Sequence, residues 1–190
     1  MILEIVKYGH PALRTPGAQI ASITPEIRRL ANDMIETMRH AEGVGLAAQQ
    51  VAKPLQLCVL EVHDSEERPS KLWIDGKECD LAKYAPMVLC NPELHLGREK
   101  VLGTEGCLSF PELNADIRRP AHCRVKALGI DGQPIEFECE GLLARAIQHE
   151  VDHLKGILFI DRMDSATKHS LKRDIQAIQQ ETLQTLKITA

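Results

Sequence analysis

The sequence lacks the features that mark several broad protein classes. No apolar run approaches the length of a membrane span, and the start Met1-Ile2-Leu3-Glu4 has neither the charged region nor the apolar stretch of a secretory signal. The net charge of -4 is not that of a general nucleic-acid-binding protein, which is normally basic. We therefore expect a cytoplasmic protein with no membrane contact and no direct sequence-specific binding of nucleic acid.

The cysteines lack the spacing of a structural zinc site, and their even number would indicate disulfides only in a secreted protein, for which no signal is visible. The chain has six cysteines but no Cys-x-x-Cys pair, which argues against a zinc knuckle. At 190 residues the chain is long enough to bury a core without disulfides. We expect one domain over residues 1–190, with four cysteines as buried free thiols in apolar, strand-like stretches: Cys58, Cys90, Cys123 and Cys139.

Apolar periodicity predicts helices at both ends of a strand-rich middle. Thr24 and Pro25 suit the start of a helix over residues 24–41. Further helices are expected over residues 141–155 and 165–188. Strands are expected at residues 57–62, 87–90, 100–102, 122–128 and 134–140.

Two further segments complete the predicted fold. Asp131-Gly132 between the last two strands is typical of a hairpin turn. Residues 64–85 are polar and irregular, so we expect a surface insertion with little regular structure. The pattern favours an α+β domain with mainly antiparallel sheet.

The strongest local motif is His149-Glu150-Val151-Asp152-His153. Residues four apart lie on one face of a helix, so the two histidines can bind one metal ion. Glu150 lies close enough to act on a water molecule at that metal. The alternative is a solvated helix that carries two histidines by chance.

A catalytic metal site needs a third protein ligand. Asp161 and Asp164 follow the helix, but neither falls in a known third-ligand pattern. Upstream, Cys107 lies beside Gly106 in the run Glu105–Ser109, where a turn can project a thiolate. By itself, Cys107 is more simply interpreted as a buried thiol.

A third motif is the run from Gly43 to Gln50. Two glycines one residue apart allow a tight turn and the close approach of another chain. The amide of Gln50 can donate a hydrogen bond to an oxygen. A loop that ends a helix is the simpler explanation of this run taken alone.

Together, these three motifs resemble the signature of the peptide deformylase family. Residues 43–50 match its Gly-apolar-Gly-apolar-Ala-Ala-x-Gln, residues 105–109 match Glu-Gly-Cys-Leu-Ser, and residues 148–154 match Gln-His-Glu-x-Asp-His-Leu. The resemblance implies a hydrolase that removes the N-formyl group from formylmethionine at the start of new polypeptides and releases formate. It also implies antiparallel sheets packed around a central metal-binding helix.

The resemblance implies a role for each matching residue. One divalent metal, expected to be Fe2+ with Zn2+, Ni2+ or Co2+ as replacements, would be bound by Cys107, His149 and His153. Glu150 would carry protons, and the oxyanion would be stabilised by the Gln50 side chain and the Leu108 backbone N–H. Substrate contacts are expected at Gly45, Val44, Leu142 and Ala146. Supporting contacts behind the ligands are expected at Glu105, Gln148 and Asp152.

Some features of the sequence bear on partners. Asn114 stands where the family often has arginine, which leaves contacts to the substrate backbone open. The C-terminal helix resembles that of bacterial type 1 enzymes and could dock on the ribosome through basic residues. These basic residues are Lys168, Lys172 and Arg173. The simpler interpretation is that they belong to a solvated helix face.

Two alternatives compete with the deformylase hypothesis. A zinc endopeptidase uses the same helix motif, but its third ligand normally lies downstream as a glutamate or histidine. A metal-binding or ribosome-associated module that is not an enzyme would be expected to have lost some catalytic position. All the matching positions are intact here.

Overall fold

The computed structural model describes residues 1–189. The helices are α1 Pro25–His40, α2 Gly141–Leu154, α3 Ser165–Ser170 and α4 Lys172–Thr189. The strands are β1 Gly45–Ala47, β2 Leu57–Leu60, β3 Ser70–Ile74, β4 Lys77–Cys79, β5 Met87–Leu96, β6 Lys100–Cys107, β7 Phe110–Pro120, β8 His122–Leu128 and β9 Pro134–Glu140. The single domain predicted for residues 1–190 extends to Ala190, which lies outside the described residues.

The strands form two antiparallel sheets. Seven strands form one sheet in the order β1-β2-β5-β8-β9-β3-β4, and β6 and β7 form a separate two-stranded sheet. The hairpin predicted around Asp131-Gly132 is confirmed, because β8 and β9 pair from His122↔Glu140 to Leu128↔Pro134. The α+β class with mainly antiparallel sheet is therefore confirmed.

Helix α1 begins and ends close to the predicted bounds of 24–41. The Thr24 side chain accepts a hydrogen bond from the Ile27 backbone N–H at 3.4 Å, and Pro25 occupies the first turn, where its missing N–H costs nothing. One face of the helix is buried against β1 and β2, with Met34 and Met38 fully buried.

The expectation of little regular structure in residues 64–85 is wrong. This segment contains β3 and β4, and β3 pairs with β9 through Leu72↔Cys139 and Trp73↔Glu138. Leu72 is buried in the core, whereas Lys71 on the other face is exposed. The strand was missed because this short alternation is surrounded by charged residues, and pairing with β9 decides its structure.

Other bounds also differ from the predictions. The strands expected at 87–90 and 100–102 extend to Leu96 and Cys107, and β7 was not predicted. The helix predicted over 165–188 is divided at Leu171, whose ψ of 3° departs from α-helical geometry. Leu171 and Ile175, at and just after the break, pack in one cluster with β7 side chains.

Helix α2 lies at the centre of the domain. Leu143, Ile147 and Val151 pack against the seven-stranded sheet, and other α2 side chains contact β6 and β7. The helix starts at Gly141, where φ is +73° and a Cβ atom would lie 2.9 Å from the carbonyl carbon of Pro69. Only glycine fits this junction.

The helices show no candidate membrane span. Among the described residues, none of them is both long enough and apolar enough to cross a bilayer.

Candidate active site

Three ligand-type side chains meet between α2 and the β6–β7 sheet. The ligand atoms of Cys107, His149 and His153 all lie within 4.8 Å of one another. Cys107 Sγ lies 3.3 Å from His153 Nε2. The helix places the two histidines one turn apart, while a bulge between Gly106 and Cys107 lies at the end of β6, where the chain turns into β7.

The donor set fits one divalent metal. A thiolate and two imidazoles suit zinc and iron alike, and the three atoms are close enough to share one ion. His149 Nδ1 lies 3.0 Å from a carboxylate oxygen of Glu105, so its N–H donates to Glu105. This bond leaves Nε2 of His149 as the available ligand atom.

Glu105 accepts hydrogen bonds from three side chains, those of His149, Arg119 and Arg145. Arg119 donates two hydrogen bonds to its carboxylate, at 2.6 and 2.9 Å, and Arg145 donates a third at 2.8 Å. Burial favours the neutral acid, but the hydrogen bonds from His149 and Arg119 outweigh burial and lower the pKa of Glu105 to about 2. Glu105 is therefore an ionised acceptor that fixes the orientation of His149.

The same ion-pair network reaches the last turn of α2. Arg119 also donates to Asp152 at 2.7 Å, and Arg162 donates to Asp152 at 2.6 and 3.1 Å. Gln148 makes a separate contact, donating to the Pro120 carbonyl at 2.9 Å. Asp152 and Gln148 thus tie α2 to β7 and to the segment that follows the helix.

Glu150 lies in the cavity beside the ligand atoms. It is 4% exposed, and its Oε2 has no hydrogen-bond partner among the described residues. Burial raises the pKa of Glu150 to about 7, against the opposing effect of His149 and Arg119. A carboxyl group with this pKa can both accept and release a proton near neutral pH.

Gly45 makes room for Glu150. A Cβ atom on Gly45 would lie 2.9 Å from both Cδ and Cγ of Glu150, and closer still to Oε1. Because the φ of Gly45 is not in the left-handed region, the need for glycine comes from this close approach rather than from the backbone.

The Gln50 amide has a fixed orientation. Its Oε1 accepts a hydrogen bond from the Ala47 N–H at 2.9 Å, and its Nε2 donates to Ser109 Oγ at 3.3 Å and lies 3.6 Å from Cys107 Sγ. Gln50 is therefore a buried donor aimed at the ligand cluster. Leu108, directly after Cys107, lines the same cavity.

The site opens into a cavity of about 530 Å³. Its walls include Gly45 and the three residues expected near the substrate side chain, which are Val44, Leu142 and Ala146. Asn114 also lines it. The structure thus brings these residues and the ligand cluster into one site.

Sequence reasoning missed two arginines of the site, Arg119 and Arg145. On β7 the residues Leu113, Ala115 and Ile117 alternate on the buried face, and Arg119 continues that alternation as a charged residue on the same face. From this alternation the burial of Arg119 could have been predicted. The Arg145 contacts depend on the position of β6, which no local pattern reveals.

Comparison with known proteins decides the family. The polypeptide deformylase family model matches residues 2–169. The chain belongs to the peptide deformylase family. Peptide deformylase of Opitutus terrae is 42% identical over 181 residues, which cover 94% of this chain and 93% of that relative.

Other members of the peptide deformylase family agree in sequence and in fold. The protein of Methylacidiphilum infernorum is 44% identical over 178 residues, covering 94% of this chain and 93% of its own length. The crystal structure of peptide deformylase from Ehrlichia chaffeensis superposes with a TM-score of 0.81 at 30% identity, covering 95% of this chain and 97% of that one. A second structure of that protein, in complex with actinonin, gives a TM-score of 0.80.

Proposed function

We propose that this chain removes the formyl group from the N-terminal formylmethionine of nascent polypeptides and that Glu150 carries the protons of the reaction. The observation that supports this role is a buried carboxylate, with a pKa of about 7, beside three convergent ligand atoms in a 530 Å³ cavity. Hydrolysis adds water across the formyl C–N bond and yields formate and a free amine. We place this activity in the cytoplasm, where nascent chains emerge.

Cys107, His149 and His153 would hold one divalent metal. When bound, that metal supplies Lewis-acid polarisation and lowers the pKa of water. The donor set does not choose among Fe2+, Zn2+, Ni2+ and Co2+; we propose Fe2+ on the resemblance to the family. If so, activity should decay faster in air than under argon, and equal half-lives would argue against iron.

Glu150 has the position and the pKa for two proton transfers. It takes a proton from the attacking water, and it delivers that proton to the nitrogen of the departing amine as the C–N bond breaks.

Hydrogen-bond donors are needed to stabilise the negative charge that develops on the formyl oxygen. The Gln50 Nε2 amide is held in place by the Ala47 N–H on its other end, so it needs little reorganisation to donate. The Leu108 backbone N–H is the second proposed donor. A single donor of this kind is worth about 3 kcal/mol in the transition state.

The substrate backbone is proposed to add as a strand beside β1. That strand is at the edge of the seven-stranded sheet, and within residues 1–189 no strand pairs with its other side, where Gly45 can take part in main-chain pairing. The methionine side chain would then enter the apolar part of the cavity formed by Val44, Leu142 and Ala146.

The test is formate release from formyl-Met-Ala-Ser by anaerobically prepared protein loaded with Fe2+ or Co2+. Glu150→Ala should lose turnover but retain metal, because Glu150 is not a ligand. The exposed glutamate of β5 gives a matched control, and Glu93→Ala should behave as wild type. Substantial turnover by Glu150→Ala would disprove the role of this carboxylate, and no release by folded, loaded wild type would contradict the function.

Docking on the ribosome through the C-terminal helices is a separate proposal. Lys168, Lys172 and Arg173 are exposed at the α3–α4 junction. Replacement of all three by glutamate should reduce co-sedimentation with ribosomes and leave peptide hydrolysis unchanged. Equal co-sedimentation of variant and wild type would contradict docking through these residues and would show that they form a solvated face.

A further inference from the structure

The N-terminal segment links the two motifs that contain the proposed oxyanion donors. The Val6 N–H donates to the backbone carbonyl of Gln50 at 2.8 Å, and the Tyr8 N–H donates to that of Ser109 at 2.9 Å. The residue between them is Lys7, which is half-buried and lines the cavity of the site. The backbone anchors on either side of Lys7 therefore fix where its side chain begins.

The Lys7 ammonium contacts the turn that carries the second proposed donor. Lys7 Nζ donates to the backbone carbonyl of Leu108 at 2.9 Å. This carbonyl and the Leu108 N–H belong to the two peptide groups on either side of the Leu108 Cα atom. Because a charged donor makes a stronger hydrogen bond than a neutral one, the ammonium restrains the orientation of Leu108.

The turn between β6 and β7 does not have the conformation that stabilises a short hairpin loop. The favoured two-residue loops need a left-handed φ angle at their first residue, and Leu108 does not have one. The strand pairing that leads into the turn is also irregular, because the register shifts between Gly106 and Cys107. Contacts from outside the hairpin therefore help to set the direction of the Leu108 N–H.

We propose that Lys7 is a positioning residue whose ammonium fixes this turn and so aims the Leu108 N–H at the formyl oxygen. This inference rests on the proposed deformylase function. The neighbouring Tyr8 supports the same turn, because its ring stacks on that of Phe110 with the centroids 4.8 Å apart. Tyr8 thus holds the residues that follow Leu108, whereas Lys7 acts on Leu108 itself.

Lys7→Met keeps an unbranched side chain of similar length but removes the donor. We expect kcat for formyl-Met-Ala-Ser to fall about tenfold, which is part of the roughly 10²–10³-fold that loss of a whole oxyanion donor costs. KM should stay within about twofold of wild type, because the interaction that is lost is made only in the transition state. Lys7→Arg should restore kcat to within about threefold, since a guanidinium can donate to the same carbonyl.

The measurement is kcat and KM for formate release, together with metal content by elemental analysis of the same preparation. The exposed lysine that follows the first motif gives the matched control, and Lys53→Met should behave as wild type in all three values. Lys7→Gln, which also removes the ammonium, tests the same contact if Lys7→Met does not fold.

The outcomes separate this inference from the proposed function. Wild type that hydrolyses no formyl peptide would contradict the function. Active wild type together with an unchanged kcat in Lys7→Met would overturn the positioning role alone. A higher KM at unchanged kcat would also overturn it, because that result describes a contact with bound substrate.

Two further results would overturn the positioning role of Lys7. Metal lost in proportion to activity would describe support of the ligands, and equal losses in Lys7→Met and Lys7→Arg would describe packing of the side chain. A fall in kcat with KM and metal retained, and with recovery in Lys7→Arg, would establish the role.

Discussion

Gly45→Ala tests the geometry of the site with the addition of a single methyl group. The new Cβ would lie 2.9 Å from Cδ and Cγ of Glu150, well inside the contact distance of about 3.5–4.0 Å between carbon atoms. Hydrogen bonds to β2 hold β1 in place, so the Glu150 side chain must move. A shift of about 1 Å in a reacting group can cost on the order of 10²-fold in rate.

The assay compares kcat/KM for formate release with metal content by elemental analysis. We expect Gly45→Ala to lose about 10²-fold in kcat/KM and to retain its metal, because the three heavy atoms nearest to the new methyl group all belong to Glu150. Gly43→Ala is the matched control in the same motif. Its Cβ would meet the flexible end of the Leu108 side chain at 2.8 Å, so its loss should be smaller. If Gly45→Ala kept activity within threefold of wild type, the reasoning about the position of Glu150 would be wrong.

Three further predictions concern the groups around the site. Cys107→Ser should release metal during gel filtration, because a hydroxyl replaces the thiolate; full metal content would contradict its role as a ligand. Arg119→Met should lower the free energy of unfolding in urea by about 3–5 kcal/mol, since it leaves the buried Glu105 short of a partner charge; a loss under about 1 kcal/mol would show that Arg145 compensates. Glu105 is ionised in the folded state down to about pH 2, below the usual unfolded value of about 4.3. The stabilisation that ionised Glu105 gives to the folded state is therefore complete above the unfolded pKa and is lost as pH falls towards 2. Glu105→Gln should therefore weaken the pH dependence of the free energy of unfolding in urea between pH 5 and 3. Parallel pH profiles of variant and wild type would refute this.

The elements that the sequence predicted well are those with strong local patterns. Helix α1 has a capping threonine, a proline in its first turn and an apolar stripe, and the structure confirms its bounds within a residue or two. The hairpin of β8 and β9 has alternating faces and an Asp-Gly turn. Such patterns act within a few residues, so they need no information about the rest of the chain.

The elements that were missed depend on partners distant in sequence. Strand β3 is a short run among charges, and it is stabilised by pairing with β9 more than sixty residues later. The break at Leu171 interrupts a pattern that by itself favours one continuous helix. Local propensity is too weak to decide either case.

The sequence by itself determined the three motifs and the candidate site residues that they contain. The spacing of His149 and His153 places them on one helix face, and the three motifs together indicated the family before any geometry was known. Only the tertiary structure brought Cys107 Sγ to 3.3 Å from His153, seated Glu150 against Gly45, and buried Arg119 and Arg145 around Glu105. These contacts join β1, β6, β7 and α2. Helical spacing is a local property of the backbone, whereas contacts between distant segments exist only after the sheets and α2 have packed together.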